Sequence, residues 1–386
     1  MGPVRPAWCS VGAVPTLGLG LIARDEEQLL PRLLASCVGA FDEVVLVDTG
    51  STDGTVAAFE AWAASQPAVR CRVVAFAWVD DFAAARQAAL DALESDWCAW
   101  ADCDDVLVGA GALRGAASAA ADGVAGLTAR YDYVATEFAR HVRVMRRGAG
   151  RWRGAVHEAL DVDGALEALP DDLVRWVHRP AERDGPKPRL LRDRAILERE
   201  LAADESDERT VFYLAQTYRD LGDVSRAVAL YERRAEMAGW PEETFFARFQ
   251  AAALLVDTDW PRAMTGLVAA WEQRPQRLEP LRLLSAQLRL RGEYETADLF
   301  ARRGLGVARP PDELFVAEWV YAWGMTFERS ITAYWVGDFA VSLACCDELL
   351  RRHDLPPLHR EQTEHNRRVA ADAIARQAVY GAATSG

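Results

Sequence analysis

Trp100-Ala101-Asp102-Cys103-Asp104-Asp105 places three carboxylates within four residues, directly after the apolar run Trp97-Cys98-Ala99-Trp100. An Asp-x-Asp at the end of a buried strand concentrates negative charge where the backbone stops being covered by other chain. Such charge is costly unless a cation arrives, and hard divalent cations prefer carboxylate oxygens. By itself the cluster also reads as an acidic turn. The 80 or so residues upstream separate the two readings.

Those residues alternate strand and helix. Leu17 to Ile22 is a short apolar run, followed by Asp25-Glu26-Glu27-Gln28 and the helical pattern Leu29, Leu30, Leu33, Leu34. Asp25 and Gln28 have the spacing of a capping box, while Pro31 predicts that the regular helix starts near Leu30. Glu43 to Val47 is near-continuously apolar, as buried parallel strands are. It ends in Asp48-Thr49-Gly50-Ser51-Thr52-Asp53-Gly54-Thr55, which opens a helix over Val56 to Ala64. A third strand, Cys71 to Trp78, leads to Asp80-Asp81-Phe82 and a helix over Ala83 to Leu93; a fourth carries the acidic cluster. This alternation predicts right-handed βαβ units in a doubly wound, mostly parallel sheet. Ligands of such sheets bind beyond the carboxyl ends of the strands. Asp48, Asp81 and Asp102 fall at or just past such ends and are expected to line one crevice.

Four stretches carry a family resemblance: Ala23-Arg24-Asp25-Glu26-Glu27, then Val47 to Thr55, then Asp81-Phe82-Ala83-Ala84-Ala85-Arg86, then Asp102-Cys103-Asp104-Asp105. In order and spacing they resemble the family 2 glycosyltransferases with a GT-A fold, in the branch whose catalytic domain is followed by tetratricopeptide repeats. The resemblance runs from about Leu17 to Glu158. It implies that Asp48 contacts the nucleotide base or ribose, with Asp25 and Asp81 also on the donor side. It implies that Asp102 holds the ribose and the metal shell, that Asp104 binds a divalent cation bridging two phosphates, and that Arg86 sits near the diphosphate. Thr49 stands where many members have a second Asp, and Asp25 where many have Asn.

The chemistry fits that assignment. Sugar transfer from a nucleotide donor expels a diphosphate whose developing charge must be neutralised. Mg2+ or Mn2+ held by one or two carboxylates does this, and Arg86 adds a cation that keeps its proton. The acceptor needs a general base on the opposite face of the sugar. Arg143 to Arg147 and Arg151-Trp152-Arg153-Gly154-Ala155-Val156-His157-Glu158 resemble the segment that closes the family's active site. Glu158 is the candidate base, with Asp132 and Glu137 next in line, and His157 is a candidate further metal ligand. Glu158 also reads as an exposed loop carboxylate. His178 reads first as a hydrogen-bonded structural histidine and second as a ligand.

Other readings are weaker. Gly18-x-Gly20-x-x-Ala23 matches a loose dinucleotide fingerprint, but its glycines lie in or before the strand rather than in the turn after it. Gly50 to Thr55 lacks the Gly-Lys-Ser/Thr ending of a phosphate-cradling loop. His353, His359 and His365 are six apart, a spacing that no single helix face presents together, and read as a surface scatter. The net charge of −14 without a basic run argues against nucleic-acid binding. Lys187 is the only lysine, a bias of GC-rich genomes. Seven cysteines without a Cys-x-x-Cys predict free thiols in a reducing cytoplasm. The apolar run from Val11 to Ile22 is broken by glycines and Pro15 and has no basic cluster, so neither a signal peptide nor a membrane span is expected.

The second half is helical in pattern. Leu214-Ala215, Tyr218, Gly222, Ala227 and Tyr231 fall at tetratricopeptide spacing. Gly292-Glu293-Tyr294 with Ala297, and Gly337-Asp338-Phe339 with Ser342, repeat the small-residue turn after 70 and 45 residues; a degenerate unit at Asp257 to Ala263 splits the first interval. Such hairpins bury their apolar faces only by stacking. The expected organisation is a catalytic domain over 1–179, a proline-rich linker over 180–190 and a helical repeat domain over 191–386. The functional expectation is an inverting, divalent-metal-dependent transferase using a nucleoside-diphosphate sugar, UDP-sugar first. Its acceptor, held through the repeats, is a peptide, protein, glycan or natural product, and a homodimer is a further expectation. The alternative is a non-catalytic tetratricopeptide scaffold with a degenerate sheet domain.

Overall fold

The computed structural model describes residues 14–134, 137–180 and 187–384. The chain divides into two compact units, Met1–Glu200 and Leu201–Gly386. Most of the expected linker, 181–186, lies outside the described residues, and 187–190 are already the first turn of a helix.

The first unit runs β1 (Leu17–Ala23), α1 (Leu30–Ser36), β2 (Glu43–Asp48), α2 (Thr55–Ala64), β3 (Arg70–Ala75), α3 (Phe82–Ala92), β4 (Trp97–Ala101) and β5 (Asp105–Val108). It continues with α4 (Ala110–Ala119), β6 (Val124–Val134), β7 (Glu137–Arg146), β8 (Gly150–Arg153), β9 (Ala159–Val162), β10 (Ala165–Ala168), β11 (Arg175–His178) and the start of α5 (Lys187–Ala203). One sheet has the order β3-β2-β1-β4-β7-β6-β11-β5, with β10 beside β6; β8 and β9 form a separate ribbon. From β3 to β4 every pairing is parallel, as expected. Beyond β4 the sheet is mixed: β7 runs antiparallel to β4 and β6, and β11 lies parallel to β6 but antiparallel to β5. The sequence between β6 and β7 is too short for the crossover that a parallel pair requires.

Burial follows the strand patterns. β1 and β2 are covered on both faces, and the edge strand β3 is only partly covered. Leu19, Leu21, Val44 and Leu46 belong to the larger core, and Val45, Val47, Ala89 and Leu93 to the core on the opposite face. Gly18 and Gly20 serve helix packing rather than a dinucleotide. A Cβ at Gly18 would meet Leu93 at 2.8 Å, and one at Gly20 would meet Ala89 at 3.2 Å, so the glycines let α3 lie close to β1. α1 starts at Leu30 with Pro31 in its first turn, but no side chain caps it. Asp25 instead accepts hydrogen bonds from the N–H of Thr52 at 2.7 Å and from its hydroxyl at 3.2 Å, so the capping box does not form.

The second unit consists of helical hairpins. α6 (Glu208–Asp220) pairs with α7 (Val224–Glu236), α8 (Pro241–Ala253) with α9 (Trp260–Gln273), and α10 (Glu279–Leu290) with α11 (Tyr294–Arg303). A π-turn over Val320–Gly324 runs into α12 (Met325–Trp335), which pairs with α13 (Phe339–Leu350); α14 (Pro357–Thr384) follows. Gly222, Gly292 and Gly337 have φ of 81°, 80° and 83°, a left-handed conformation that lets each chain reverse tightly. The Asp223, Asp259 and Asp338 carboxylates cap the following helices. Ala227, Ala263, Ala297 and Ser342 are fully covered one turn later, where the paired helices meet. The degenerate unit is therefore a true hairpin with Thr258 in the glycine position, and the array is tetratricopeptide-like.

Candidate functional site

The acidic cluster forms a closed turn between β4 and β5. The N–H of Asp105 donates to the carbonyl of Asp102 at 2.9 Å, and the N–H of Asp102 donates to Asp105 Oδ2 at 3.0 Å. Asp105 is completely buried. Its carboxylate also accepts from the Tyr131 hydroxyl at 2.8 Å and from Arg143 Nη1 at 3.2 Å. Arg143, equally buried, stacks on Trp100 with its guanidinium carbon 3.8 Å from the ring centre. Burial pushes the Asp105 carboxyl up, and Arg143 only partly offsets it. Asp105 thus shapes the turn from inside and leaves Asp102 and Asp104 facing outward.

Arg86 arrives from α3. Asp81 caps that helix by accepting from the N–H of Ala84 at 2.9 Å, which sets Arg86 more than one turn in. The N–H of Phe82 donates to the carbonyl of Ala155 at 2.9 Å and ties the segment carrying Glu158 to the same helix. Arg86 Nε then donates to Glu158 Oε1 at 2.5 Å, and Nη2 to Asp102 Oδ1 at 2.5 Å. Its guanidinium carbon lies 4.8 Å from the Trp100 ring and 5.1 Å from the Trp152 ring, which meet edge to face. Burial works against the Arg86 charge, but Asp102 and Glu158 outweigh it and raise the guanidinium pKa further. For Asp102, burial raises the carboxyl pKa and Arg86 pulls it down, with the net shift downward.

Asp104 lies on the outer side of the turn. His178 comes from 74 positions away because β11 pairs with β5 in a register that sets it opposite Asp105. Its Nδ1 is 3.6 Å from Asp104 Oδ1 and 3.1 Å from the Tyr131 hydroxyl. Hydrogen bonding to Asp104 raises the His178 pKa despite partial burial. Among the described residues, the carboxylate, imidazole and thiol ligand atoms that lie within 4.8 Å of one another are those of Asp104, Asp105 and His178. Asp105 is held by Arg143, whereas among the described residues no arginine reaches the Asp104 carboxylate or His178, which makes these two the pair open to a cation. Metal–ligand bonds of about 2.1 Å imply ligand separations of about 3–4 Å, which this pair meets. Asp102, Asp104, Asp105 and Glu158 together outnumber the cations of Arg86 and Arg143, so the site has room for added positive charge. A divalent cation fits these residues.

The other expected residues fall into distinct places. Asp48, at the end of β2, accepts from the N–H of Ser51 at 3.1 Å, and the Ser51 hydroxyl accepts from the N–H of Asp25 at 3.0 Å. Asp25 and Asp48 thus form one loop network, while Arg86, Asp102 and Glu158 form another. Asp81 is occupied in capping. His157 is exposed at φ 54° and is not part of the group around Asp104. Asp132 is held by Arg130 at 2.6 Å and Arg175 at 3.3 Å, and the side chain of Glu137 lies outside the described residues. Sequence reasoning missed the roles of Asp105, Tyr131, Arg143 and the two indoles. An arginine inside an otherwise apolar stretch of β7 was the available signal.

Residues 20–162 match the family model of glycosyl transferase family 2. A TPR repeat-containing protein of Synechococcus elongatus is 41% identical over 97 residues, which cover 25% of this chain and 22% of that protein's length. Three solved structures are similar to stretches of this chain. A mannosyltransferase from Pyrobaculum calidifontis, in complex with GDP-Man and Mn2+, has a TM-score of 0.37 at 18% identity over 67% of this chain and 86% of its own. S. aureus TarS 1–349 in complex with UDP-GlcNAc gives 0.39 at 13% identity over 68% and 90%. The C-terminal part of a TPR repeat-containing protein from Cytophaga hutchinsonii gives 0.40 at 12% identity over 50% and 69%.

Proposed function

Because residues 20–162 of this chain form a glycosyl transferase family 2 domain, we propose that the protein is an inverting transferase that moves a sugar from a nucleoside-diphosphate donor, a UDP-sugar first, to an acceptor hydroxyl or similar group. The observation that carries this reading is the bridge from Arg86 to Asp102 and Glu158 beside the Asp104–His178 pair. Asp48 and Asp25 face the nucleoside, and Asp102 meets the ribose and the metal shell. Asp104 would hold Mg2+ or Mn2+ with an imidazole beside it, His178 rather than the His157 expected from the sequence. When bound, the cation neutralises charge on the departing diphosphate.

The remaining steps belong to the chain's own residues. Arg86 is held against two rings and keeps its proton, so it offers the diphosphate a permanent positive charge. Glu158 takes the acceptor's proton as the acceptor's lone pair forms the new bond at the anomeric carbon; the old carbon–oxygen pair leaves with the diphosphate. The helical unit is assigned to acceptor recognition or self-association. The test is incubation with a panel of nucleotide sugars and Mn2+, following nucleoside-diphosphate release with and without chelator. Metal-dependent release from at least one donor is expected. No release from any donor, in protein shown to be folded, overturns the reading.

A further inference from the structure

A cavity in the helical unit lies between α10, α12, α13 and α14 and has a volume of about 450 Å³. Its wall includes Trp335, Tyr334, Arg289, Gln362, His365 and Asn366. Trp335 is 53% exposed, unusual for the largest apolar side chain, yet it is not loose. Tyr294 of α11 stacks on it, with ring centres 4.6 Å apart and planes 7° from parallel, and Tyr334 meets it edge-on at 5.7 Å. One face of the indole is therefore occupied by its support, and the other is left for a visitor.

The polar groups around that ring suit hydroxyls. Gln362 Nε2 donates to Asn366 Oδ1 at 2.8 Å, which leaves the Gln362 carbonyl as an acceptor. The Asn366 amide nitrogen is buried at the wall with no hydrogen-bond partner, a donor that the molecule itself leaves unsatisfied. A small turn of the exposed Gln362 presents both amides to an entering group. His365 adds a ring nitrogen beside them. Among the described residues no carboxylate lines the cavity, although the chain carries a net charge of −14. The one arginine, Arg289, already donates to Glu328 at 3.1 Å. The cavity thus combines a flat aromatic face with amide and imidazole donors and acceptors.

We propose that this cavity binds a carbohydrate, with a pyranose ring laid on Trp335 and its hydroxyls on Gln362, Asn366 and His365, and that it holds the acceptor glycan of the transferase. The C–H face of a pyranose meets the negative face of an indole favourably. Hydroxyls both donate and accept, which is what the amide pair and imidazole ask for. A compact cavity of this size suits one or two sugar rings better than an extended chain. The assignment to an acceptor rests on the proposed transferase function; the assignment to a sugar rests on the cavity.

The test uses the full chain on an array of immobilised neutral and acidic oligosaccharides, with immobilised peptides alongside, followed by titration calorimetry of a retained oligosaccharide. Binding is expected to weaken about tenfold or more in Trp335→Ala and several-fold in Gln362→Ala. It should be unchanged in Asp104→Asn. Both helical-unit variants change exposed side chains, and circular dichroism melts establish that they are folded. Retention of peptides only, no retained oligosaccharide, or equal affinity in folded Trp335→Ala and Gln362→Ala overturns the proposal. If no nucleotide sugar is turned over but Trp335-dependent glycan binding persists, the catalytic reading fails and the sugar site stands. If transfer proceeds and no glycan is retained, the sugar site alone fails.

Discussion

Arg86 is the residue on which the site turns. A guanidinium buried against two indoles and bonded to two carboxylates is fixed in direction, so whatever exchanges with those carboxylates must be anionic. Asp104 differs: among the described residues no arginine reaches its carboxylate, and His178 is its neighbour. Asp104→Ala is expected to abolish Mn2+-dependent donor affinity while stability stays within about 1 kcal/mol, since the change removes one of several clustered negative charges. Calorimetry with UDP and Mn2+ checks this, and unchanged affinity sinks the metal assignment. Glu158→Gln keeps the shape but not the base. Donor affinity should hold within a few-fold while transfer falls roughly 10²-fold or more; full activity would move the base elsewhere. Arg143 is a structural counterpart. Arg143→Met leaves Asp105 buried without its cation and should cost about 3–5 kcal/mol in urea unfolding, with the loss spread over donor affinity as the turn loosens.

At the scale of elements, local sequence was informative wherever one residue type could do only one job. Pro31 placed the start of α1, and the glycines of the hairpin turns placed α7, α11 and α13. The hairpin without a glycine was also legible, because Asp259 repeats the capping role of Asp223 and Asp338. Asp223→Ala removes a cap bond to the N–H of Arg226 and should destabilise the helical unit by about 1 kcal/mol. A smaller change in thermal midpoint than that energy implies would mean that packing of Ala227 alone fixes the turn. The antiparallel half of the sheet was not legible. Strand order beyond β4 depends on which distant strand covers which edge, and apolar composition is the same for either neighbour.

For the molecule as a whole, acid is a sensitive condition. Burial first and Arg143 second lower the His141 pKa from its ordinary 6.5 to about 4. The unfolded chain therefore binds a proton between those values that the folded chain refuses, and stability falls as pH drops from about 6.5 to about 4, by on the order of 2–3 kcal/mol. His178 acts oppositely: its pKa is raised, so its contribution is fully present below about 6.5 and is lost as pH climbs through the raised value. The two can be separated. His141→Gln should flatten the acid-side slope of stability measured by urea unfolding at several pH values. An unchanged slope would assign it to other groups.

By itself the sequence determined the order of elements as far as β4, the acidic turn that follows it, the helical hairpins and the family resemblance of the first domain. Each of these is encoded in local period and spacing, and the physics that reads them acts within a few residues. Only the tertiary structure decided which imidazole stands beside Asp104. That depends on the register of β11 against β5, and a strand carries no mark of its partner's register beyond its alternating faces. The same holds for the histidines of the second unit, which read as a surface scatter. Folding packs His359 against Trp323 and Phe327 at 4.6 and 5.0 Å and sets His365 at the wall of the cavity. Six-residue spacing says nothing about what another helix brings up to meet it.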